Sequence, residues 1–443
     1  MPASVTLAGW GRFPRCRTEL AAPRDEPALR ALLEAAPLIA RGSGRAYGDS
    51  AVSPGRTVEM RHFDRMIAFD PRSGQLVAEA GLRLSEVIRT FLPRGWFPAV
   101  TPGTKFVTLG GAIAADVHGK NHHRDGSFGA FVDWIDLMGP DGTVRRCARD
   151  AHPALFGWSV GGMGLTGVIL RAAIRLRPVE TGWIRQETRP APNLDAALAA
   201  MEAAQDASYS VAWIDCLARG GDLGRSLLLL GEHAARAELG PREAAAPWGL
   251  PRPSRRVPLD APPGLLNGLT VRAFNALYWR RGLRAAGTRL VDWDGYFYPL
   301  DALLGWNRIY GPGGFAQYQC VIPQAASAQG LRALLKAISE AGHGSFLAVL
   351  KRFGPQDSRF SFPMEGYTLA LDFPVSRGTL ALMERLDRIV LDHGGRFYLA
   401  KDARMSAATL RAADPRAAEF IAFRAEGGLR PCFRSAQSER LEL

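Results

Sequence analysis

An α+β chain of two domains is the fold class this sequence predicts, on three observations. The chain has 443 residues, too many for one ordinary hydrophobic core. Its 47% hydrophobic and 22% charged residues fit a globular protein without long disordered stretches. Strand-like and helix-like apolar patterns alternate along both halves, and the second half reads as an antiparallel sheet covered by helices.

In chain order, residues 27–35 read as a helix, with Asp25 and Glu26 ahead of Pro27 as start signals. Short strands are expected over 57–60, 66–69 and 75–78. The run 84–92 is helical, with Leu84, Val87, Ile88 and Phe91 on one face, and Pro93 stops it. Residues 134–138 and 143–147 flank Pro140-Asp141-Gly142 and read as a hairpin, since Asp-Gly supplies the turn. Ile174 and Leu176, alternating with arginines, mark a strand over 168–177. Pro178 opens a new section. There, helices are expected over 194–204, 331–341 and 377–393, and strands over 210–216, 226–230, 317–322, 345–350 and 368–373.

Residues 240–292 differ from their surroundings. Proline and arginine dominate 241–263, including Pro251, Pro253, Arg255 and Arg256. An apolar stretch through Leu265, Leu269, Phe274, Leu277 and Tyr278 follows, and then Arg280, Arg281 and Arg284. The plain expectation is a surface loop and an amphipathic helix. The sharper one is a lid or a peripheral contact with an anionic bilayer.

The net charge of +12 attracts anions. Basic runs interleaved with aromatics are missing, so no nucleic-acid partner is expected. The five cysteines (16, 147, 216, 320 and 432) are scattered and odd in number, which points to a reduced compartment without a disulfide framework. No signal peptide or transmembrane helix is expected, and the expected location is cytoplasmic, with peripheral contact at the inner membrane as the sharper reading. Five lysines (105, 120, 336, 351 and 401) stand against fifty arginines. A lysine kept against that bias offers an amine that titrates when buried, as a guanidinium does not.

Two glycine-rich stretches carry the chemistry. Arg41-Gly42-Ser43-Gly44-Arg45-Ala46-Tyr47-Gly48-Asp49-Ser50 follows an apolar run and suits an anion-binding nest around a pyrophosphate. Residues 101–129 carry Gly110-Gly111 between apolar runs, followed by His118, Lys120, His122 and His123. His118 and His122 have i, i+4 spacing, but an HExxH glutamate is missing, so no metal site is expected. His118 is the site candidate, with His122 and His123 supporting it. Gly162-Met163-Gly164-Leu165-Thr166-Gly167 matches GxGxxG, yet a strand pattern follows where the dinucleotide fold needs a helix. Its glycines are expected to pack closely beside the same ligand.

In this order RGSGRAYGDS (41–50), PGTKFVTLGGAIAADVHGKNHH (102–123) with GSFG (126–129), and GGMGLTG (161–167) resemble the vanillyl-alcohol-oxidase (PCMH-type) FAD-binding flavoproteins. GWGR (9–12), WNRIYGPGGFAQYQ (306–319), SFLAVLKRFGP (345–355), LDFP (371–374) and YLAKDAR (398–404) narrow the likeness. They are similar to a branch that oxidises the 2-hydroxyl of a polyprenyl-phosphate-linked pentose, the flavin half of an epimerising pair.

The resemblance implies a two-part FAD domain, 1–180 plus 396–443, and a substrate domain over 181–395 with an antiparallel sheet flanked by helices. It implies cofactor contacts at Arg41 to Ser50, Gly103, Thr108, Gly110, Gly111, Ala115, His118, Ile169 and Tyr398. It implies Lys401 and His118 at the reacting hydroxyl, and Lys120, Trp213, Gln317, Gln319 and Lys351 around the substrate. The first loop holds no histidine for a covalent tether, so noncovalent FAD is expected. The implied partners are a lipid-linked phospho-sugar and a separate NAD(P)H-dependent ketoreductase. Two departures alter the pocket: Ala370 stands where relatives carry a cysteine, and Phe297 aligns with a tyrosine. Alternatives are a soluble alditol or aldonolactone oxidase using oxygen, and a non-catalytic flavin-binding scaffold.

Overall fold

The computed structural model describes residues 3–34, 37–249, 253–262 and 264–443. Ala35, which ends the first expected helix, and Pro251 and Pro263 of the proline-rich stretch lie outside the described residues.

The first sheet has the order Ala3–Ala8, Arg15–Ala21, Arg56–Glu59, Leu38–Arg41, its last three strands parallel. The helix Glu26–Leu33 begins where expected, because the Asp25 carboxylate accepts a hydrogen bond from the Ala28 N–H. Residues 42–50 therefore leave the carboxyl end of a parallel strand, a usual place for a ligand loop.

The second sheet runs Met66–Asp70, Gln75–Glu79, Val168–Pro178, Val132–Met138, Val144–Ala148, all antiparallel. The expected hairpin pairs Met138 with Val144, and the Gly139 N–H donates to the Thr143 carbonyl across the turn. Helix Leu84–Phe91 buries the four apolar residues named from its period. Pro93 then sits in a tighter turn over Leu92–Arg94.

The third sheet is antiparallel and eight-stranded. Its order is Gly287–Asp292, Trp183–Ala191, Ser226–His233, Tyr209–Ile214, Val349–Phe353, Gly366–Pro374, Phe315–Pro323, Arg396–Phe397. Helices Leu194–Glu202, Ser327–Ala341 and Arg377–Asp392 cover one face. Ala212, Ile214, Leu228, Leu230, Tyr318, Cys320, Leu350, Leu369 and Leu371 pack there against Leu331, Leu335, Leu382 and Leu386. The period of two sends the residues between them to the opposite face, where helix Gly268–Arg284 packs against Leu227 and Trp213.

Two differences from expectation have local causes. The strand expected over 345–350 starts at Val349. The Ser345 hydroxyl donates to the Leu347 carbonyl and accepts from the Leu347 and Asp372 N–H groups, so a side-chain turn replaces ladder pairing. Strand Trp183–Ala191 carries no apolar alternation because its inward positions include Gln186 and Thr188, which hydrogen-bond each other at 3.1 Å.

The C-terminal segment returns to the first sheet. The Leu38 N–H donates to the Cys432 carbonyl, the Arg434 N–H donates to the Leu38 carbonyl, and Phe433 joins Leu29, Leu38 and Val58 in one apolar cluster.

Candidate active site

This second face of the eight-stranded sheet and the loops of the first half enclose a cavity of about 730 Å³. Ligand sites usually span roughly 300–1,000 Å³.

One wall comes from the first half of the chain. Gly42, Ser43, Gly44, Arg45, Ala46, Tyr47 and Ser50 line it, as do Gly103, Thr108, Gly110, Gly111, Ala115 and Ile169. Gly44 is in the left-handed region at φ +63°, and a Cβ there would lie 2.4 Å from the Arg41 guanidinium. The loop is held from outside. Trp10 N–H donates to the Ala46 carbonyl, Gly11 N–H to the Tyr47 carbonyl, and Tyr47 N–H to the Ala400 carbonyl.

Arg41, Gly48 and Asp49, expected to contact cofactor, do not line the cavity. Arg41 instead donates to the Ala8 and Ala51 carbonyls behind the loop. A Cβ at Gly48 would lie 1.9 Å from the Asp402 carbonyl oxygen, so glycine is needed where the two segments touch. Asp49 is paired with Arg440.

The other wall is the sheet. Trp213, Gln317, Gln319, Lys351, Thr368 and Ala370 present alternate positions of four neighbouring strands to the cavity. His118 and Lys120 approach from the first-half loop, and Tyr398 and Lys401 from the C-terminal segment. Three lysines 50 to 281 residues apart in the chain thus share one cavity with His118.

Their electrostatics are unusual. Burial, with Lys351 adding to it, lowers Lys120 to about 7. Burial alone lowers Lys351 to about 8. Burial lowers Lys401 too, while Asp372 pulls it back up and Lys351 pushes it down. The Lys401 ammonium lies 3.6 Å over the Tyr47 ring, and the Lys120 ammonium 3.9 Å over the Tyr296 ring. Lys120 also donates to the Tyr296 carbonyl.

His118 is held well below the usual imidazole value by burial first, then by Lys351, His122 and Lys401. Its tautomer follows from its partners. Thr368 Oγ1 donates to the Cys320 carbonyl, so the Gln319 amide nitrogen donates to Thr368 at 3.1 Å. The same nitrogen lies 3.0 Å from His118 Nε2, which must accept, leaving the ring proton on Nδ1. His122 meets Gln356 Oε1 at 2.7 Å, and His123 donates to the Ala207 carbonyl at 2.8 Å.

The first wall fits FAD. Gly103 has no atom within 4 Å of where a Cβ would stand, leaving open space for a ligand. The buried Ser50 hydroxyl and Arg45 Nε have no hydrogen-bond partner in the protein. Such groups suit an anionic diphosphate. In the 161–167 stretch Met163, Gly164 and Gly167 touch the same cavity, and a strand follows at Val168, so the dinucleotide motif is a chance match.

Several lining groups escaped sequence reasoning. Phe346, Thr368, Asp301 and Trp306 line the cavity, and Phe274 and Tyr278 of helix Gly268–Arg284 stand at its edge. Asp372, buried just behind Gln317, also escaped. LDFP carried a signal for it, because a carboxylate between apolar strand residues needs a partner.

A glycine loop suited to an anionic cofactor, facing desolvated amines that can take a proton, is the arrangement of a cofactor-binding enzyme site. Residues 19–148 match the FAD binding domain family. The chain is 36% identical to the decaprenylphosphoryl-β-D-ribose oxidase of Mycolicibacterium smegmatis, over 99% of this chain and 97% of that one. It is 35% identical to an uncharacterized Streptomyces coelicolor protein, over 82% of this chain and 99% of that one. The L-gulonolactone oxidase of Mus musculus is 26% identical over 31% of each chain. The chain belongs to the PCMH-type FAD-binding oxidoreductase family and is an FAD-dependent oxidoreductase.

Proposed function

We propose that this enzyme oxidises the 2-hydroxyl of a polyprenyl-phosphate-linked pentose, similar to decaprenylphosphoryl-β-D-ribose, to the 2-keto sugar. A separate NAD(P)H-dependent reductase would complete an epimerisation. The carrying observation is the convergence of Lys120, Lys351, Lys401 and His118 in one cavity of a chain resembling the ribose oxidase from end to end.

Residues 1–180 with 396–443 form the FAD domain in this reading, and 181–395 the substrate domain. Ser43 to Tyr47, Ser50, Gly103, Thr108 to Gly111, Ala115, Ile169 and Tyr398 hold FAD without a covalent bond. When bound, FAD would supply the two-electron oxidant for the C2 carbon. Lys401 takes the hydroxyl proton, for which an amine lowered by burial is suited. Neutral His118 accepts from the Gln319 amide and positions the same hydroxyl. Lys120 and Lys351 bind the phosphate when protonated. Trp213, Gln317 and Gln319 orient the ring.

Anaerobic bleaching of the bound flavin tests the reading. Polyprenyl-phosphoryl ribose should bleach it, and acid precipitation should release FAD to the supernatant. Bleaching by free alditols or aldonolactones instead assigns a soluble sugar oxidase. Bleaching by no sugar assigns a scaffold.

We also propose a peripheral membrane contact through helix Gly268–Arg284. No helix among the described residues is long and apolar enough to cross a membrane. On this one, Leu269 and Leu277 are 77% and 58% exposed beside exposed Arg280, Arg281 and Arg284. Apolar and arginine faces together suit an anionic interface. The protein should sediment with phosphatidylglycerol vesicles in low salt and much less with phosphatidylcholine. A Leu269→Ser, Leu277→Ser variant should remain in the supernatant; equal sedimentation of variant and parent refutes the contact.

A further inference from the structure

Two residues join the walls of the cavity, and the reaction above uses neither. Asp116 stands two places before His118 and is 1% exposed. Its backbone is in the left-handed region at φ +39°, where a residue other than glycine stays only when its surroundings hold it. Donors converge on its carboxylate. The Gly129 N–H reaches Oδ1 at 2.7 Å, and the Ser127 hydroxyl and the Gln356 amide nitrogen reach Oδ2 at 2.6 and 3.1 Å. The Gly129 and Gln356 nitrogens can only donate, so both Asp116 oxygens act as acceptors. Burial raises the carboxyl, and these bonds oppose the rise. The Phe128 N–H also donates to the Val117 carbonyl, and His118 pairs with Ser127 as an isolated bridge. The turn that carries His118 is thus laced to 127–129 on one side.

Gln356 makes the other attachment. It follows strand Val349–Phe353, which carries Lys351. Asp116 takes its amide nitrogen, so its Oε1 is left to accept, and His122 Nε2 at 2.7 Å must donate. His122 therefore holds its proton on Nε2, and its buried Nδ1 has no hydrogen-bond partner among the described residues. The rings of His122 and His118 lie 4.3 and 4.7 Å from the Phe353 ring. At Gly354 a Cβ would stand 2.6 Å from the His123 carbonyl oxygen, so the strand end and the histidine loop touch backbone to backbone. The contact between the two walls is close, and Asp116 with Gln356 supplies its directional bonds.

We infer that Asp116 and Gln356 are positioning residues, which together join the first-half loop to the sheet and set where His118 stands against the substrate's hydroxyl. Asp116 holds the turn. Its demand for a donor orients the Gln356 amide, and that amide fixes the His122 tautomer. The inference rests on His118 meeting the reacting hydroxyl.

The first readout needs no turnover. Burial, its largest cause, lowers His122 to about 4, so the ring is neutral near neutral pH. Long-range proton–nitrogen NMR of the FAD-loaded enzyme with isotope-labelled histidine then reports which nitrogen holds the proton, with His122→Gln assigning the signal. Asp116→Asn keeps the shape and tolerates the same φ. Its one remaining oxygen must meet the fixed Gly129 N–H, which turns the new amide nitrogen toward Gln356. The Gln356 amide then flips, its nitrogen faces His122 Nε2, and the His122 proton should move to Nδ1. Ser127→Ala removes a donor but leaves the carboxylate, so the Nε2 tautomer should persist. Stopped-flow bleaching by polyprenyl-phosphoryl ribose is the second readout. Asp116→Asn and Gln356→Met should retain FAD and half-saturate within about twofold of the parent, while the limiting rate falls about tenfold or more, the cost of a misplaced reacting group. A purely structural role would lower stability and leave the limiting rate of the loaded enzyme in place. An unmoved His122 proton in Asp116→Asn, or parental limiting rates in both variants, overturns the inference. Parent flavin that the sugar fails to bleach would instead overturn the reading on which it rests, and the His122 signal would still decide whether Asp116 orients Gln356.

Discussion

Lys401→Ala is expected to keep its FAD and to lose turnover by about 100- to 10,000-fold, the usual worth of a positioned acid–base group. The two halves of this outcome have separate causes. The backbone of the segment is fixed independently of the side chain. The Lys401 N–H donates to the Tyr398 carbonyl, the Tyr398 hydroxyl donates to the Ala115 carbonyl, and the Ala400 carbonyl accepts from Tyr47. The cofactor wall therefore survives the truncation, and the visible flavin spectrum should be retained. What disappears is the amine that burial has made able to lose its proton near neutral pH. Lys401→Arg separates charge from basicity. A guanidinium stays protonated, so this variant keeps a cation and should be as inactive as alanine. Stopped-flow bleaching with the polyprenyl-phosphoryl pentose measures both variants, and unchanged rates would refute the role.

The largest stability effect is expected from Arg440→Ala, a loss of about 3–5 kcal/mol. Arg440 pairs with Asp49 at 2.7 Å and with Asp402 at 2.8 Å, and both carboxylates are almost fully buried. It ties the C-terminal helix Ala436–Leu441 to the loop at 42–50 and to the segment carrying Lys401. Removing it leaves two buried anions uncompensated. Asp402 is held below its ordinary value despite burial, which opposes the Arg440 attraction. A lowered carboxylate contributes stability above its unfolded pKa and loses it as pH falls through its folded value. The deficit should therefore be greatest near pH 7 and shrink as the pH falls below the ordinary carboxylate range. Urea denaturation at several pH values checks this, and a pH-independent deficit would refute it. Because the loop at 42–50 loses its brace, FAD should also dissociate more readily from this variant.

Much of the local structure is legible in the chain because its causes are local. Asp25 caps a helix within three residues, and Leu84, Val87, Ile88 and Phe91 mark their own buried face. Strand Trp183–Ala191 was illegible because Gln186 and Thr188 satisfy each other inside, so the apolar alternation that announces a strand is missing. The start of Val349–Phe353 was misplaced because Ser345 captures backbone groups that a strand would pair. The site divides in the same way. Glycine spacing marks the 42–50 loop, and the family resemblance picks Lys120, Lys351 and Lys401 out of the five lysines.

By itself the sequence determined the α+β class, the family and its FAD, because motif order and apolar period are properties of the chain. Only the tertiary structure decided that Arg41, Gly48 and Asp49 brace the loop from behind and that the Gln319 amide leaves the His118 proton on Nδ1. Those outcomes depend on distances between residues up to 391 positions apart and on the water excluded between them. Such quantities come into being when the strands align and their faces close on one another.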